Sequence, residues 1–160
     1  MAPAHVEELA QGDPRELALE NARRKALAVT GELVLGADTD VGLDGDVLGK
    51  PRDAAHAREL LTRLSGRRHE VVGGIAIAEQ GEITAQDVVV TVVGFRALDA
   101  TTIDWYVATG EWEGRAGGYA IQGRGAALVA GIEGDYLNVV GLPLARLLDL
   151  RPDLLPTRRP

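Results

Sequence analysis

Asp38, Lys50 and Lys25 are the residues of this sequence with the most chemistry to offer. Asp38 follows the apolar run Leu33-Val34-Leu35-Gly36-Ala37, which reads as a short buried strand. Lys50 stands in the rigid turn Gly49-Lys50-Pro51, and Lys25 sits on a segment of helical periodicity. These are the only two lysines among 17 basic residues. In a chain that writes nearly every cation as arginine, a retained lysine flags a position where a compact ammonium is wanted, although two ordinary surface lysines are the plainer explanation. Sites in α/β sheets gather outside the carboxyl ends of strands. A carboxylate there can hold Mg²⁺ or Mn²⁺, or take a proton from water. Two ammoniums beside it can offset the charge of a triphosphate. A lone Asp after a strand is more often a turn residue, so the chemical reading needs support from the surrounding elements.

Those elements follow from the pattern. Asp13-Pro14-Arg15-Glu16 is a helix start, with Asp13 as cap, Pro14 in the first turn and Glu16 placed for a capping box. Leu19, Ala22, Ala26 and Val29 form its apolar stripe and Gly31 its stop, with Asn21 and Lys25 one turn apart beside the stripe. Val41-Gly42-Leu43, Asp44-Gly45 and Asp46-Val47-Leu48 spell a hairpin, because Asp-Gly suits a turn with two positive φ angles. Asp53 caps a second helix whose core face is Ala57, Leu60, Leu61 and Leu64. Val71–Ala78 and Ile83–Val93 read as long strands around Gln80-Gly81. A third helix is expected from Thr101 or Thr102 to Gly110, then a glycine-rich loop over Gly114–Gly125 holding Tyr119 and Gln122. Ala126–Ile132 reads as a strand, Leu137–Val140 as a segment pairing back on it, and Leu144–Leu150 as a last helix after Pro143. With no repeat and no linker, residues 1–150 are expected to form one α/β domain and residues 151–160 a flexible tail.

Several familiar signatures fail on spacing. Gly45–Lys50 has too few residues between its glycines for a phosphate-binding P-loop, and Pro51 follows where Ser or Thr is needed. The acids Asp38, Asp40, Asp44 and Asp46 do not align with the glycine and final acid of a calcium loop. Gly123-Arg124-Gly125 lacks the third glycine of a dinucleotide fingerprint. His5, His56 and His69 have no zinc-type spacing. Ser65, the only serine, lies at a helix end, which argues against a serine nucleophile.

Composition narrows the class further. The 160 residues suffice for one domain with a real core. No apolar run approaches the length of a membrane span, so no membrane partner is expected. A formal charge of -7 at pH 7 argues against a nucleic-acid partner. The absence of cysteine fits a cytoplasmic protein.

Six pieces of sequence then occur together over residues 6–148. They are Asn21-Ala22-Arg23-Arg24-Lys25-Ala26, Gly36-Ala37-Asp38-Thr39, Leu48-Gly49-Lys50-Pro51, Leu64-Ser65-Gly66, Ala116-Gly117-Gly118-Tyr119-Ala120-Ile121-Gln122-Gly123 and Val140-Gly141-Leu142-Pro143. Together they resemble the Maf family of nucleoside triphosphate pyrophosphatases. The resemblance implies a mixed, twisted sheet flanked by helices, with a central cleft of the Maf/ITPase-like kind. It implies hydrolysis of a nucleoside triphosphate to monophosphate and pyrophosphate with a divalent metal cofactor, Mg²⁺ or Mn²⁺, in a homodimer. Asp38 matches the family's catalytic acid, as base or metal ligand. Lys25 and Lys50 match its phosphate-contacting lysines, and Glu8 a metal-binding glutamate. Thr39 and Gln122 match positions linked to base choice, in the form resembling the subgroup that acts on dTTP and UTP.

The sequence departs from the family pattern at its start. Family members open with a strand and a Ser-x-Ser-Pro-Arg-Arg loop, and no such segment precedes Val6. An N-terminally truncated domain is therefore expected, and loss of phosphate-neutralising arginines can cost orders of magnitude in rate. The alternative function is a catalytically weak nucleotide-binding or interaction module.

Overall fold

Asp13 opens the first helix as its side chain dictates. Its Oδ1 accepts hydrogen bonds from the backbone N–H of Arg15 (2.9 Å) and Glu16 (3.2 Å), and Pro14 occupies the first turn, where its missing N–H costs nothing. In the computed structural model, which describes residues 6–155, this helix is α1 (Pro14–Leu27). It is followed by β1 (Leu33–Leu43), β2 (Asp46–Val47), α2 (Ala54–Leu64), β3 (Arg68–Glu79), β4 (Glu82–Phe95), α3 (Ala100–Val107), β5 (Val129–Glu133), α4 (Tyr136–Val140) and α5 (Leu144–Leu150). His5 lies outside the described residues.

The five strands form one sheet in the order β2-β1-β3-β4-β5. All four pairings are antiparallel, so among the described residues the sheet is not mixed, while the α/β class and the single domain stand. The reason is local. Asp44-Gly45 (φ 55 and 86) and Gln80-Gly81 (φ 51 and 87) reverse the chain in two residues, whereas a parallel neighbour needs a long crossover. β2 pairs with β1 only at Gly42 and Leu43. Among the described residues, the outer edge of β1 from Leu33 to Asp40 therefore has no strand beside it.

Side chains alternate between the two faces of the sheet. Val34, Gly36, Asp38 and Asp40 of β1 lie beside Ala78, Ala76, Gly74 and Val72 of β3, on the face covered by α1. Contact there is close. A Cβ built on Gly36 would stand 2.0 Å from the Ala22 carbonyl oxygen, and one on Gly74 2.2 Å from that of Ala18. The opposite face carries the large core, with Val41, Val71, Val93 and Phe95 packed against Leu60, Leu61 and Leu64 of α2, Tyr106 of α3, and Tyr119 and Leu128. Each such buried aliphatic side chain contributes about 1.5–3 kcal/mol.

Four sequence expectations change. The apolar run before Asp38 is the first half of an 11-residue strand, so Asp38 stands in the middle of β1 rather than at a carboxyl end. Asn21 belongs to the buried stripe of α1, and Val29 is exposed beyond the helix, because Ala18, Ala22 and Ala26 are the positions that meet the sheet glycines. Leu137–Val140 lies within a helical turn rather than pairing back. Asp135 Oδ1 caps it through the Leu137 N–H (2.8 Å), and Asn138 donates to the carbonyls of Val71 (3.1 Å) and Val89 (3.2 Å). Of the segment expected as a tail, Pro152–Leu154 forms a 3₁₀ turn and Arg151 pairs with Asp153 and Glu79.

Candidate active site

Asp38 is almost fully buried, yet both of its oxygens are engaged. The Asn21 amide donates to Oδ2 at 3.1 Å, and the Lys25 ammonium pairs with Oδ1. The helical spacing of Asn21 and Lys25 puts both on the side of α1 that meets Asp38. The glycines beneath α1 bring the helix backbone near enough for them to reach. Asn21 also fixes the segment before α1. Its Oδ1 accepts from Leu9 N–H (2.8 Å) and its Nδ2 donates to the Leu9 carbonyl (3.1 Å).

That anchorage delivers Glu8. Its Oε1 lies 2.7 Å from Lys25 Nζ and its Oε2 2.7 Å from Lys50 Nζ. A chain of alternating charge results, running Asp38, Lys25, Glu8, Lys50. Burial opposes ionisation of Glu8, but hydrogen bonds from Lys25 and Lys50 outweigh it and hold the carboxyl below the usual carboxylate range. Burial likewise opposes the charge on Lys25, and its hydrogen bonds to Asp38 and Glu8 outweigh that and raise its pKa.

Asp38, Lys25 and Lys50 thus meet in one place. Lys25, Asp38, Thr39, Lys50 and Gln122 line a single cleft of about 230 Å³, with Arg115, Tyr119 and Gly141 on its other walls. The cleft wraps the open edge of β1. Asp38 enters from the face under α1, and Thr39 and Val41 from the opposite face. The first wall of the glycine-rich loop is clasped to the Lys50 turn, because Gly117 N–H donates to the carbonyls of Leu48 (2.9 Å) and Gly49 (3.2 Å). Gly117 has φ 68, and a Cβ there would press on Val41 at 3.0 Å, so glycine suits this contact on both counts.

Several neighbours have roles that no motif announces. Asp40 lies two residues beyond Asp38 and so on the same face, a placement the strand period alone could have signalled. Its Oδ2 is buried without a hydrogen-bond partner. Burial first, and then the charges of Asp38 and Glu8, push its pKa up to about 7. His69 is not a metal ligand but a core residue. Its Nε2 lies 2.8 Å from the Tyr119 hydroxyl, both rings pack edge-on against Phe95, and burial lowers the imidazole pKa to about 4. Ser65 is structural, its Oγ accepting from Leu98 N–H at 2.7 Å.

The donor set suits a hard divalent cation. Asp38 and Glu8 are carboxylates that share one ammonium, so the Lys25 Nζ already occupies a cationic position between them. Among the described residues no cluster of three acids or imidazoles is close enough to form a cage. A pair of carboxylates such as Asp38 and Glu8 would hold Mg²⁺ only together with the phosphates of a substrate.

A small α/β domain whose cleft pairs a buried carboxylate with lysines belongs to the class built to take a polyphosphate. The chain is a member of the Maf family, whose family model, described as Maf-like protein, matches residues 1–152. It is 52% identical over 154 residues to the dTTP/UTP pyrophosphatase of Anaeromyxobacter sp. (strain Fw109-5), covering 92% of this chain and 75% of that protein. It is 52% identical over 142 residues to the dTTP/UTP pyrophosphatase of Symbiobacterium thermophilum, covering 86% and 72%. The dTTP/UTP pyrophosphatase of Pyrococcus furiosus matches at 46% over 154 residues, covering 92% and 80%. Among the described residues no helix is long and apolar enough to cross a membrane.

Proposed function

We propose that this chain hydrolyses dTTP, UTP or a related modified nucleotide to the monophosphate and pyrophosphate. The observation that carries the reading is the convergence of Asp38 with both lysines of the chain in one cleft that also presents Thr39 and Gln122. Relatives that are nearly half identical or more are named dTTP/UTP pyrophosphatases, which supports the same substrates here.

Asp38 acts as the general base. It accepts a proton from the water whose oxygen attacks the α-phosphorus, and the bond from that phosphorus to the bridging oxygen breaks, so that pyrophosphate leaves with the electron pair. Asn21 and Lys25 hold the carboxylate in one orientation. Lys50, half-exposed, exchanges Glu8 for a phosphate oxygen when substrate enters. Thr39 and Gln122 face the base. Asp38 and Glu8 are the carboxylates that would hold a divalent cation, Mg²⁺ or Mn²⁺, and it would neutralise triphosphate charge there. The same reading makes the protein a cytoplasmic homodimer with a nucleotide substrate and no nucleic-acid or membrane partner.

Release of pyrophosphate from dTTP and UTP by the purified chain with Mg²⁺ or Mn²⁺ tests the proposal. Asp38→Asn is expected to lower kcat by about 10²–10⁴-fold, the scale for loss of a general base. Unchanged turnover in that variant removes Asp38 from the chemistry. Stabilisation by nucleotide without pyrophosphate release favours a binding module instead.

A further inference from the structure

The cleft holds a cation that the charge chain does not use. Lys25 is shared between Asp38 and Glu8, and Lys50 is held by Glu8. Arg115 lines the same cleft, is exposed, and among the described residues makes no ion pair. The two lysines are balanced by Asp38 and Glu8, and Asp40 is a further acid acted on by the same charges. An incoming triphosphate therefore finds its uncommitted positive charge at Arg115.

The backbone around Arg115 is fixed. Its N–H donates to the Trp112 carbonyl (3.2 Å), its carbonyl accepts from Gly118 N–H (3.0 Å), and Trp112 Nε1 donates to the Val107 carbonyl (2.9 Å). Two residues on, Gly117 is bonded to Leu48 and Gly49, the residues just before Lys50. Arg115 and Lys50 therefore rise from two segments fastened to each other. A guanidinium presents a planar fork of donors that matches two phosphate oxygens, which an ammonium cannot do.

We infer that Arg115 is a further substrate-binding residue, whose guanidinium takes phosphoryl oxygens of the triphosphate beside Lys50. The inference rests on the nucleotide reading above for its substrate, but a polyphosphate probe tests it without turnover. The test is calorimetric titration of the full chain, of Arg115→Gln and of Arg115→Lys with inorganic tripolyphosphate and Mg²⁺, alongside steady-state kinetics on dTTP.

Arg115→Gln is expected to weaken tripolyphosphate about 10–100-fold and to raise KM for dTTP by a similar factor, with a smaller change in kcat. Arg115→Lys is expected to fall between, since it keeps charge and loses the fork. Because the side chain is exposed, the thermal midpoint should stay within about 2 °C. Equal tripolyphosphate affinity in wild type and Arg115→Gln overturns the assignment, even if KM for dTTP changes. Wild type that does not bind tripolyphosphate at all overturns it too. Tripolyphosphate binding that depends on Arg115, without pyrophosphate release from dTTP or UTP, upholds the assignment and sinks the pyrophosphatase reading alone.

Discussion

The two faces of the sheet solve opposite problems. Under α1 the contact is made of Ala18, Ala22 and Ala26 against Gly36, Gly74 and Ala76, with helix and sheet backbones almost touching. Little apolar area is buried there. What is gained is reach, because a helix seated so low lets Asn21 and Lys25 hold a carboxylate in the middle of a strand. The opposite face packs Leu60, Leu61, Leu64, Phe95 and Tyr106 into a thick core, and on it rests the loop that carries Arg115, Tyr119 and Gln122. One face thus places the charged chemistry by excluding side-chain volume. The other places the substrate walls by filling it. The open edge of β1 is where the two meet.

The largest expected effect attacks the thin face. Gly74→Val puts a branched side chain where the Ala18 backbone stands, and α1 must lift. A loss of about 4 kcal/mol or more in urea unfolding is expected, with turnover falling even in the fraction that stays folded. On the thick face, Leu61→Ala removes a fully buried side chain and is expected to cost about 3 kcal/mol. If the division of labour holds, the folded fraction of that variant keeps kcat near wild type. A Leu61→Ala enzyme with the kcat of Asp38→Asn breaks the comparison.

A pair of opposed pH slopes, one from each face, is spread over several pH units and is measured with chelator present. The folded imidazole of His69 stays neutral down to about 4, while the unfolded one protonates near 6.5. The unfolded state therefore binds the extra proton in that window, and stability falls by about 3 kcal/mol at most as pH drops through it. Asp40 has the reverse sign. Its folded pKa of about 7 exceeds the ordinary 3.8, so its contribution declines as pH rises from 4 to 7, by about 1 kcal/mol after allowance for its partial exposure. Relative to wild type, His69→Gln should gain as the pH is lowered and Asp40→Asn as it is raised. Slopes of the same sign in both variants would show that the two faces do not titrate separately.

Much of this was legible in the sequence where short-range chemistry decides. Asp13, Asp53, Asp44-Gly45 and Gln80-Gly81 announce caps and turns through their own side chains or φ angles, and α2 buries the four residues its period predicts. Asp38, Lys25 and Lys50 were legible as chemistry and through their flanking motifs. The length of β1 was not, because Asp38, Thr39 and Asp40 read as a polar stop until one sees which of them α1 covers. The helical turn at Leu137–Val140 was hidden by its apolar composition, and it is settled by Asn138 reaching carbonyls on two distant strands. Arg115 was hidden by being one arginine among fifteen; its position on the cleft wall, with no ion pair among the described residues, sets it apart.

Both lysines stand in the cleft, so every side-chain primary amine of this protein belongs to its site. An amine-selective acylating reagent therefore becomes a footprint of occupancy. Lys50 is the more open of the two and should be tagged first, at 53% side-chain exposure against 22% for Lys25. Peptide mass spectrometry would then read ligand protection at two known masses, with no arginine contributing background.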